Sequence, residues 1–206
     1  MKAYIFCSSP TENIDYLKDF DFRNSFVICA DGGSEILNKL KIVPDLWIGD
    51  MDSASELWCS SEKEILPCKK DLTDSQAAAE AALERGIKDI VFFGATGGRL
   101  DHEYANYCLL RFLLEHDAFG TIIDGKNKIF MLDKSAEIAP CGKKYISFFP
   151  FGEDVDNFSV KNVKYELENH TLKNNCTRTA SNEFIGSLSA KVSFANGYVL
   201  VICSND

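Results

Sequence analysis

Short apolar runs alternate with helical segments over roughly the first two-thirds of the chain. The runs, rich in β-branched and aromatic residues, predict strands, and the segments between them predict helices. The predicted strands are residues 3–7, 25–30, 46–49, 64–66 and 89–94, and the predicted helices are residues 13–18, 34–41, 54–59, 74–84 and 103–116. Such alternation predicts an α/β fold with a mostly parallel sheet and flanking helices, in which ligands bind beyond the carboxyl ends of the strands.

The clearest of these helices is the alanine-rich segment 74–84. Thr73 is placed to cap its first turn, and Gly86 stands where a left-handed residue ends a helix. These signals predict both ends of the helix.

The pattern changes near residue 134. Four aromatic and β-branched runs follow with no helical pattern between them, at residues 145–149, 158–163, 190–194 and 198–203. Asn196-Gly197 between the last two predicts a hairpin. The chain is therefore predicted to hold an α/β domain at residues 1–133 and a small antiparallel β domain at residues 134–206.

Composition narrows the classes of partner. The chain has 206 residues, 46% hydrophobic and 26% charged, with a net charge of −9. That charge argues against nucleic acid or an anionic membrane as a partner, and no apolar run approaches the roughly 20 residues of a membrane span. The 8 cysteines include no CxxC pair, so buried free thiols in a reducing cytoplasm are expected and structural zinc is not.

The acidic pair Asp50 and Asp52 directly follows the buried strand at residues 46–49. In an extended backbone, residues i and i+2 point to the same side and lie roughly 7 Å apart. Two such carboxylates repel each other unless a proton or a cation lies between them, and a hard divalent metal fits that position. The alternative is an acidic turn that caps the next helix.

Two further clusters follow other predicted strands. Asp31-Gly32-Gly33 comes after residues 25–30, where paired glycines and a helix start favour an anion, although an ordinary strand-to-helix turn has the same pattern. Lys70, Asp71 and Asp74 surround the start of the alanine-rich helix. Capping alone explains one of those acids, whereas two acids beside a lysine indicate a metal and phosphate site.

The fourth cluster is the loop at residues 94–102. Gly97, Gly98 and Arg99 form a candidate phosphate cradle of backbone amides and a guanidinium. His102 and Asn106 are four residues apart on the next helix and are expected to face the same way. The loop has neither the Walker spacing nor the GxGxxG fingerprint, which excludes a generic P-loop or dinucleotide site.

Taken in order, these motifs resemble the thiamine pyrophosphokinase family. The matching elements are ADGG at residues 30–33, PDLWIGDMDS at 44–53, KDLTD at 70–74, GATGGRLDH at 94–102 with Asn106, and SNE at 181–183. The resemblance covers nearly the whole chain. It implies an N-terminal α/β domain, a C-terminal β-sandwich, and a homodimer whose active site lies between one subunit's α/β domain and the other's β domain.

The resemblance also implies roles for individual residues. Asp50, Asp52 and Asp74 would bind Mg²⁺, with Asp71 close by, and the catalytic set would be Asp52, Asp71, Asp74 and Asp101. Ser181 and Asn182 would reach thiamine, and Phe184 is the nearest aromatic residue. The residues expected at the nucleotide are Asp31, Gly32, Gly33, Lys70, Thr96, Gly97, Gly98, Arg99, Asp101, His102 and Asn106.

The implied reaction is transfer of a pyrophosphoryl group from ATP to the hydroxyl of thiamine, giving thiamine diphosphate and AMP. Either Asp71 or Asp101 would accept the hydroxyl proton. Two other classes remain as alternatives: a metal-dependent nucleotide-sugar transferase, and a non-catalytic nucleotide-binding regulator. Release of AMP that depends on thiamine would distinguish pyrophosphoryl transfer to thiamine from both of these alternatives.

Overall fold

A computed structural model describes residues 1–10, 13–49, 62–65 and 72–206, with 62–65 described as a strand only. The chain divides into two compact units, Met1–Gly125 and Lys126–Asp206. The predicted helix at residues 54–59 lies outside the described residues. No helix in the described part of the chain is long and apolar enough to cross a membrane.

The described part of the first unit has six strands that pair in parallel, three α-helices and two short 3-10 helices, Asp15–Asp19 and Asp31–Gly33. The strands occur in the spatial order β6-β5-β1-β2-β3-β4. They are β1 (Lys2–Phe6), β2 (Phe26–Ala30), β3 (Leu46–Gly49), β4 (Glu62–Ile65), β5 (Asp89–Phe93) and β6 (Phe119–Ile123), and the helices are α1 (Ser34–Leu40), α2 (Asp74–Glu84) and α3 (Leu100–Glu115).

Aromatic packing fixes the centre of this unit. The rings of Phe6 and Phe93 on neighbouring strands have centroids 5.2 Å apart, and Phe20 meets Phe93 edge-on at 4.9 Å. Phe6 and Phe93 are both fully buried. Aromatic pairs at these distances add to the stabilisation that burial alone provides, so β1 and β5 form the rigid middle of the sheet.

Helix α2 has the predicted bounds, and the Thr73 hydroxyl accepts a hydrogen bond from Gln76 N at 3.3 Å. Helix α3 begins at Leu100, three residues before the predicted start, because the chain leaves its extended conformation at Arg99. Asp101 and Glu103 therefore occupy its first turn, where carboxylates are favoured by the positive end of the helix dipole.

The second unit consists of eight strands that pair antiparallel. One group has the order β12-β9-β14-β7 and the other the order β11-β10-β13-β8. The strands are β7 (Asn127–Leu132), β8 (Ala136–Ile138), β9 (Tyr145–Pro150), β10 (Val155–Lys161), β11 (Leu167–Leu172), β12 (Asn182–Glu183), β13 (Ala190–Ser193) and β14 (Val199–Ser204).

The two groups of strands share a single hydrophobic core. Phe148 of β9 and Phe158 of β10 are fully buried, and their ring centroids lie 5.4 Å apart. Buried positions alternate with exposed ones along β13, as expected for a strand with one face on the core.

The hairpin predicted at Asn196-Gly197 is wrong. Strand β13 pairs with β8 and β10, whereas β14 pairs with β7 and β9, so the two strands lie in different groups. The turn itself is present: Gly197 has a φ of +77°, and Asn196 Oδ1 accepts a hydrogen bond from Asp156 N at 2.9 Å. The Asn-Gly turn therefore connects β13 in one group of strands to β14 in the other.

Among the described residues, six cysteines are free thiols. Cys203 is buried in β14, and Cys141 is half-buried beside it. A hydrogen bond from Cys203, together with the ammonium groups of Lys128 and Lys143, lowers the pKa of the Cys141 thiol below its ordinary value despite partial burial.

Candidate functional site

Polar loops gather at the carboxyl edge of the parallel strands. Asp31 follows β2, the glycine-rich loop at residues 94–99 follows β5, and Asp124 follows β6. Because parallel strands all end at the same edge, these loops are neighbours. The sequence predicted this edge as the site, and the described residues place Asp31 and the 94–99 loop on it.

The loops after β1, β2 and β5 pack directly on one another. A Cβ on Gly33 would lie 1.9 Å from the Phe6 carbonyl oxygen, and one on Gly94, whose φ is +63°, would lie 2.5 Å from the Cys7 carbonyl oxygen. Ser9 N donates to Gly94 O at 2.9 Å. Only glycine fits at these two positions, which leaves little freedom for the backbone at the edge.

Asp31 is a buried carboxylate at this edge. Asp31 is only 8% exposed, and its backbone φ of +44° is unusual for a residue other than glycine. Its carbonyl oxygen accepts hydrogen bonds from Trp47 Nε1 at 3.1 Å and from Cys29 Sγ at 3.5 Å. A carboxylate held at this depth requires hydrogen bonds or a cation near it, which suits a site for charged ligands.

Asp74 is the first residue of α2 and is half-buried. The pKa of the Cys7 thiol is raised to about 12, chiefly by burial and to a smaller extent by the Asp74 carboxylate. That electrostatic effect indicates that Asp74 lies near Cys7, the residue that follows β1.

Asn106 connects three elements below the edge. It is 6% exposed; its Nδ2 donates to Ala95 O at 2.9 Å, and its Oδ1 accepts from Ser75 Oγ at 2.8 Å. It therefore links α3 to α2 and to the loop after β5. His102 and Asn106 both lie in α3, four residues apart as predicted, but His102 in the first turn is exposed whereas Asn106 one turn later is buried.

The loop that contains the predicted phosphate cradle is bonded to side chains from neighbouring elements. Gly97 N donates to Glu103 Oε2 at 3.0 Å, and Tyr107 Oη donates to Glu103 Oε1 at 2.5 Å. Thr96 Oγ1 donates to Asp124 Oδ2 at 2.7 Å. These contacts fix the loop from both sides, with Glu103 from α3 and Asp124 from the end of β6.

Arg99 and Asp101 form an exposed ion pair at the start of α3. Arg99 donates through Nη2 to Asp101 Oδ2 at 2.6 Å and through Nε to Asp101 Oδ1 at 3.2 Å. Arg99 lowers the pKa of the Asp101 carboxyl, chiefly by its side-chain hydrogen bond, and Asp101 raises the pKa of Arg99 in the same way. Asp101 is therefore ionised at neutral pH, with both carboxylate oxygens bonded to Arg99.

Four predicted site residues, Asp50, Asp52, Lys70 and Asp71, lie outside the described residues. Within the described ranges, no group of three or more His, Cys, Asp or Glu side chains is arranged to hold a metal ion. The donors that the described edge offers are carboxylate oxygens, among them Asp31, Asp74 and Asp124. Their chemistry fits a hard cation such as Mg²⁺.

Sequence reasoning missed three residues of this edge: Ser75, Glu103 and Asp124. Asp124 had a usable signal, because Asp-Gly follows β6 as Asp31-Gly32 follows β2. Its carboxylate contributes to the raised pKa of Tyr16 and of Tyr107, in each case after the larger effect of burial.

The predicted thiamine segment lies in the second unit. Ser181 is exposed, has a φ of +57°, and donates its N–H to Ser147 Oγ at 2.9 Å. Asn182 is 6% exposed, with an amide that bonds the backbone. Phe184 is half-buried, packs against the core of this unit, and forms a bridge with Val163.

Comparisons with known proteins agree with this arrangement. Residues 18–119 match the family profile "Thiamin pyrophosphokinase, catalytic domain", and residues 132–199 match "Thiamin pyrophosphokinase, vitamin B1 binding domain". The thiamine pyrophosphokinase of Bacillus subtilis (strain 168) is 32% identical over 215 residues, covering 98% of each chain.

Solved structures show the same likeness. The crystal structure of thiamine pyrophosphokinase from Bacillus subtilis has a TM-score of 0.91 at 30% identity and covers 100% of both chains. That from Geobacillus thermodenitrificans has a TM-score of 0.87 at 28% identity, covering 100% of this chain and 98% of the other. The yeast enzyme shares the fold, with a TM-score of 0.78 at 15% identity over 99% of this chain and 86% of the other.

The described strands and the carboxyl edge define an α/β unit with an acidic, glycine-rich candidate site, followed by an antiparallel β unit. Two family profiles in succession and a relative matched over nearly its whole length make the assignment specific. The chain belongs to the thiamin pyrophosphokinase family.

Proposed function

We propose that the protein transfers a pyrophosphoryl group from ATP to the hydroxyl of thiamine and releases thiamine diphosphate and AMP. The observation that carries this function is the match of a catalytic and a vitamin B1 binding profile, in that order, to residues 18–119 and 132–199. The nucleotide-sugar transferase and the non-catalytic regulator have no comparable support.

The family relationship also supports a finer description of the fold. The first unit is an α/β domain with a mostly parallel sheet, and the second is a β-sandwich that binds thiamine. We propose a cytoplasmic homodimer in which each active site joins the α/β unit of one subunit to the β unit of the other. Nucleic acid and membranes are not expected as partners, given the net charge of −9.

Mg²⁺ is the proposed metal, with Asp50, Asp52 and Asp74 as the residues that would hold it and Asp71 close by. Support comes from the half-buried carboxylate of Asp74 beside the end of β1 and from the other carboxylates along the same edge. When bound, the metal would neutralise charge on the phosphate oxygens that carry the transferred group.

The remaining nucleotide contacts are assigned to the loops of the edge. Gly32, Gly33 and Gly98 provide backbone that allows close approach, and Arg99 provides a cation at the start of α3. The predicted set is completed by Asp31, Lys70, Thr96, Gly97, Asp101, His102 and Asn106, the last as a buried link that holds the loop at residues 94–99. These contacts would align the β-phosphorus with the thiamine hydroxyl, which transfer in line requires.

The proton of the thiamine hydroxyl requires an acceptor, and Asp71 and Asp101 are the two proposed. Asp101 is ionised at neutral pH, and its ion pair with Arg99 lowers its pKa, so it would accept the proton only once Arg99 moves to the phosphates. In the second unit, Ser181, Asn182 and Phe184 are the residues proposed for thiamine.

Product analysis tests this function. The purified protein is incubated with MgCl₂, ATP and thiamine, and nucleotides and thiamine esters are separated by chromatography. We expect AMP and thiamine diphosphate in equal amounts, with neither ADP nor thiamine monophosphate. AMP formation that does not depend on thiamine, or ADP as the nucleotide product, would contradict the proposal.

A further inference from the structure

We propose that Asn182 is a positioning residue of the thiamine site, which fastens the two walls of a pocket in the second unit instead of touching the substrate. The proposal rests on the proposed thiamine-dependent function. Asn182 then contributes to thiamine binding indirectly, because its amide positions the Tyr165 backbone and its neighbour Ser181.

The pocket has a volume of about 380 Å³ and is lined by residues 165–167 on one side and by residues 178–180 and 182 on the other. Cavities of this order hold small organic molecules. Asn182, the first residue of β12, pairs with Ile146 of β9. It belongs to one wall, while its side chain bonds the other.

The hydrogen bonds of the Asn182 amide are nearly all used within the protein. Its Oδ1 accepts from Tyr165 N at 3.0 Å and from Glu183 N at 2.9 Å, and its Nδ2 donates to Tyr165 O at 2.8 Å. An asparagine side chain offers two acceptor positions and two N–H donors. Both acceptor positions and one donor are occupied in a residue with 6% exposure, so almost nothing of this amide is left for a ligand.

The wall that contains Asn182 is held from below by strand β9. Ser181 N donates to Ser147 Oγ at 2.9 Å, and Ser147 is 8% exposed. Thr179 Oγ1 donates to Phe148 O, and Phe148 N donates to Thr179 O at 3.2 Å. Together these bonds hold Ser181 in its left-handed conformation, with its own side chain exposed.

The opposite wall has no comparable support from β9 among the described contacts. Tyr165 is exposed, and its backbone N–H and C=O both bond to Asn182. Lys164 N donates to Glu183 O at 3.0 Å and extends the same connection. Removal of the Asn182 amide would therefore break both bonds between the Tyr165 backbone and the wall that contains Ser181.

Two variants separate positioning from direct contact. Asn182→Ala removes the fastening amide, and Ser147→Ala removes the buried acceptor that holds Ser181 from below. If Asn182 positions Ser181, both variants raise the KM for thiamine by about tenfold while kcat and the KM for ATP stay within about twofold. The double variant raises the KM for thiamine by less than the product of the two effects, because both changes loosen the same segment.

The conservative variant Asn182→Asp keeps the acceptor for Tyr165 N and Glu183 N but replaces the bond to Tyr165 O by repulsion between two oxygens. We expect its KM for thiamine to be raised at least as much as that of Asn182→Ala. It also keeps the proposal testable if Asn182→Ala fails to fold.

Asn205 provides a matched control in the same unit. Its Oδ1 accepts from Lys144 N at 2.7 Å, and its Nδ2 donates to Gly142 O at 3.2 Å, so it fastens a different loop in the same way. Asn205→Ala should lower the melting temperature and leave the KM for thiamine unchanged.

Two outcomes would overturn the proposal. A wild-type KM for thiamine in Ser147→Ala, beside a raised value in Asn182→Ala, would mean that Asn182 contacts the substrate itself. An equal rise in Asn205→Ala would mean that any loosening of the unit weakens thiamine binding. Wild-type protein that forms no AMP with thiamine would instead refute the proposed function.

Discussion

At the scale of a single residue, Asp74 has both a structural place, in the first turn of a helix, and a proposed chemical role at the metal. It stands in the first turn of α2, where a carboxylate is favoured, but Thr73 already supplies the side-chain cap. The helix therefore does not depend on its charge. This separation of roles makes the charge of Asp74 a clean target for mutation.

Asp74→Asn is expected to fold normally and to lose at least about 100-fold in kcat, because a neutral amide no longer supports the proposed metal. The measurement is AMP formation at saturating ATP and thiamine over a range of MgCl₂ concentrations. Glu35→Gln is the control, since Glu35 also lies in the first turn of a helix but pairs with Lys39 at the surface. Near-normal turnover of Asp74→Asn at high MgCl₂ would rule out its metal role.

Tyr16 carries a hydroxyl that is buried without a hydrogen-bond partner among the described residues. Tyr16→Phe is therefore expected to raise the free energy of unfolding at pH 7 by about 1 kcal/mol, since the desolvation penalty of that hydroxyl disappears. Urea denaturation measures it. A loss of stability would mean that the hydroxyl has a bonding partner in solution.

The pH dependence of the same residue follows from its pKa. Burial, and to a smaller extent Asp124, raise the pKa of Tyr16 from 10.0 to about 12 in the folded protein. The unfolded chain thus loses this proton first, so the contribution to stability is intact below pH 10 and falls between pH 10 and pH 12. Tyr16→Phe should show a smaller fall over that interval, and equal slopes would contradict the shift.

At the scale of single residues, the sequence predicted which residue types lie at the edge but not which way each side chain faces. Asp31 and Asp74 lie at the predicted edge, whereas the buried contacts of Asn106 with Ser75 and with the Ala95 carbonyl were not predicted. Which face of α3 meets α2 is decided by packing in three dimensions. The spacing of residues along one helix does not contain that information.

At the scale of elements, the link through Asn106 joins α2, α3 and the loop after β5. Asn106→Ala is expected to lower the free energy of unfolding by about 2 to 3 kcal/mol, because Ser75 Oγ and the Ala95 carbonyl lose their buried partner. Gln76→Ala is the control: it removes a bond to Glu80 within α2 alone, which is worth less than about 0.5 kcal/mol. Similar losses in both variants would show that Asn106 is not a special connection.

Close packing of the loops at the edge makes a second prediction. Gly33→Ala would push a methyl group against the Phe6 carbonyl and is expected to lower stability by about 3 kcal/mol. Gly86→Ala, with a φ of +73° but no atom within 4 Å of the new Cβ, should lose only about 1 kcal/mol. Chemical denaturation of both proteins compares them, and equal losses would mean that the loop relaxes away from β1.

The elements that sequence predicted best carry their own local signals. Helix α2 has its cap, its alanines and its terminal glycine, and β3 is a compact apolar run. Strand β6 was not predicted because Gly120 interrupts its apolar run. That position must be glycine because α3 packs closely against it. A Cβ there would lie 2.6 Å from Leu113 and 2.9 Å from Leu110, both on α3.

At the scale of the whole molecule, the proposed homodimer places residues of two subunits in each active site. Asp74→Asn and Ser181→Ala each remove one half of such a site. If both are nearly inactive alone, mixing them in equal amounts with subunit exchange should restore about a quarter of wild-type activity, since only mixed dimers hold one intact site. Activity that stays at the level of the single variants would refute a shared site.

The distribution of thiols determines which parts of this protein an alkylating reagent reaches. Cys7 and Cys29 lie buried beneath the strand edge with raised pKa values, whereas Cys108 and Cys176 are exposed and the pKa of Cys141 is lowered. Of the six cysteines in the described part of the chain, a maleimide dye at neutral pH will therefore label Cys141, Cys108 and Cys176 and spare the pair under the edge. Fluorescent reporters on those three thiols would thus leave Cys7 and Cys29, beneath the proposed nucleotide site, unmodified.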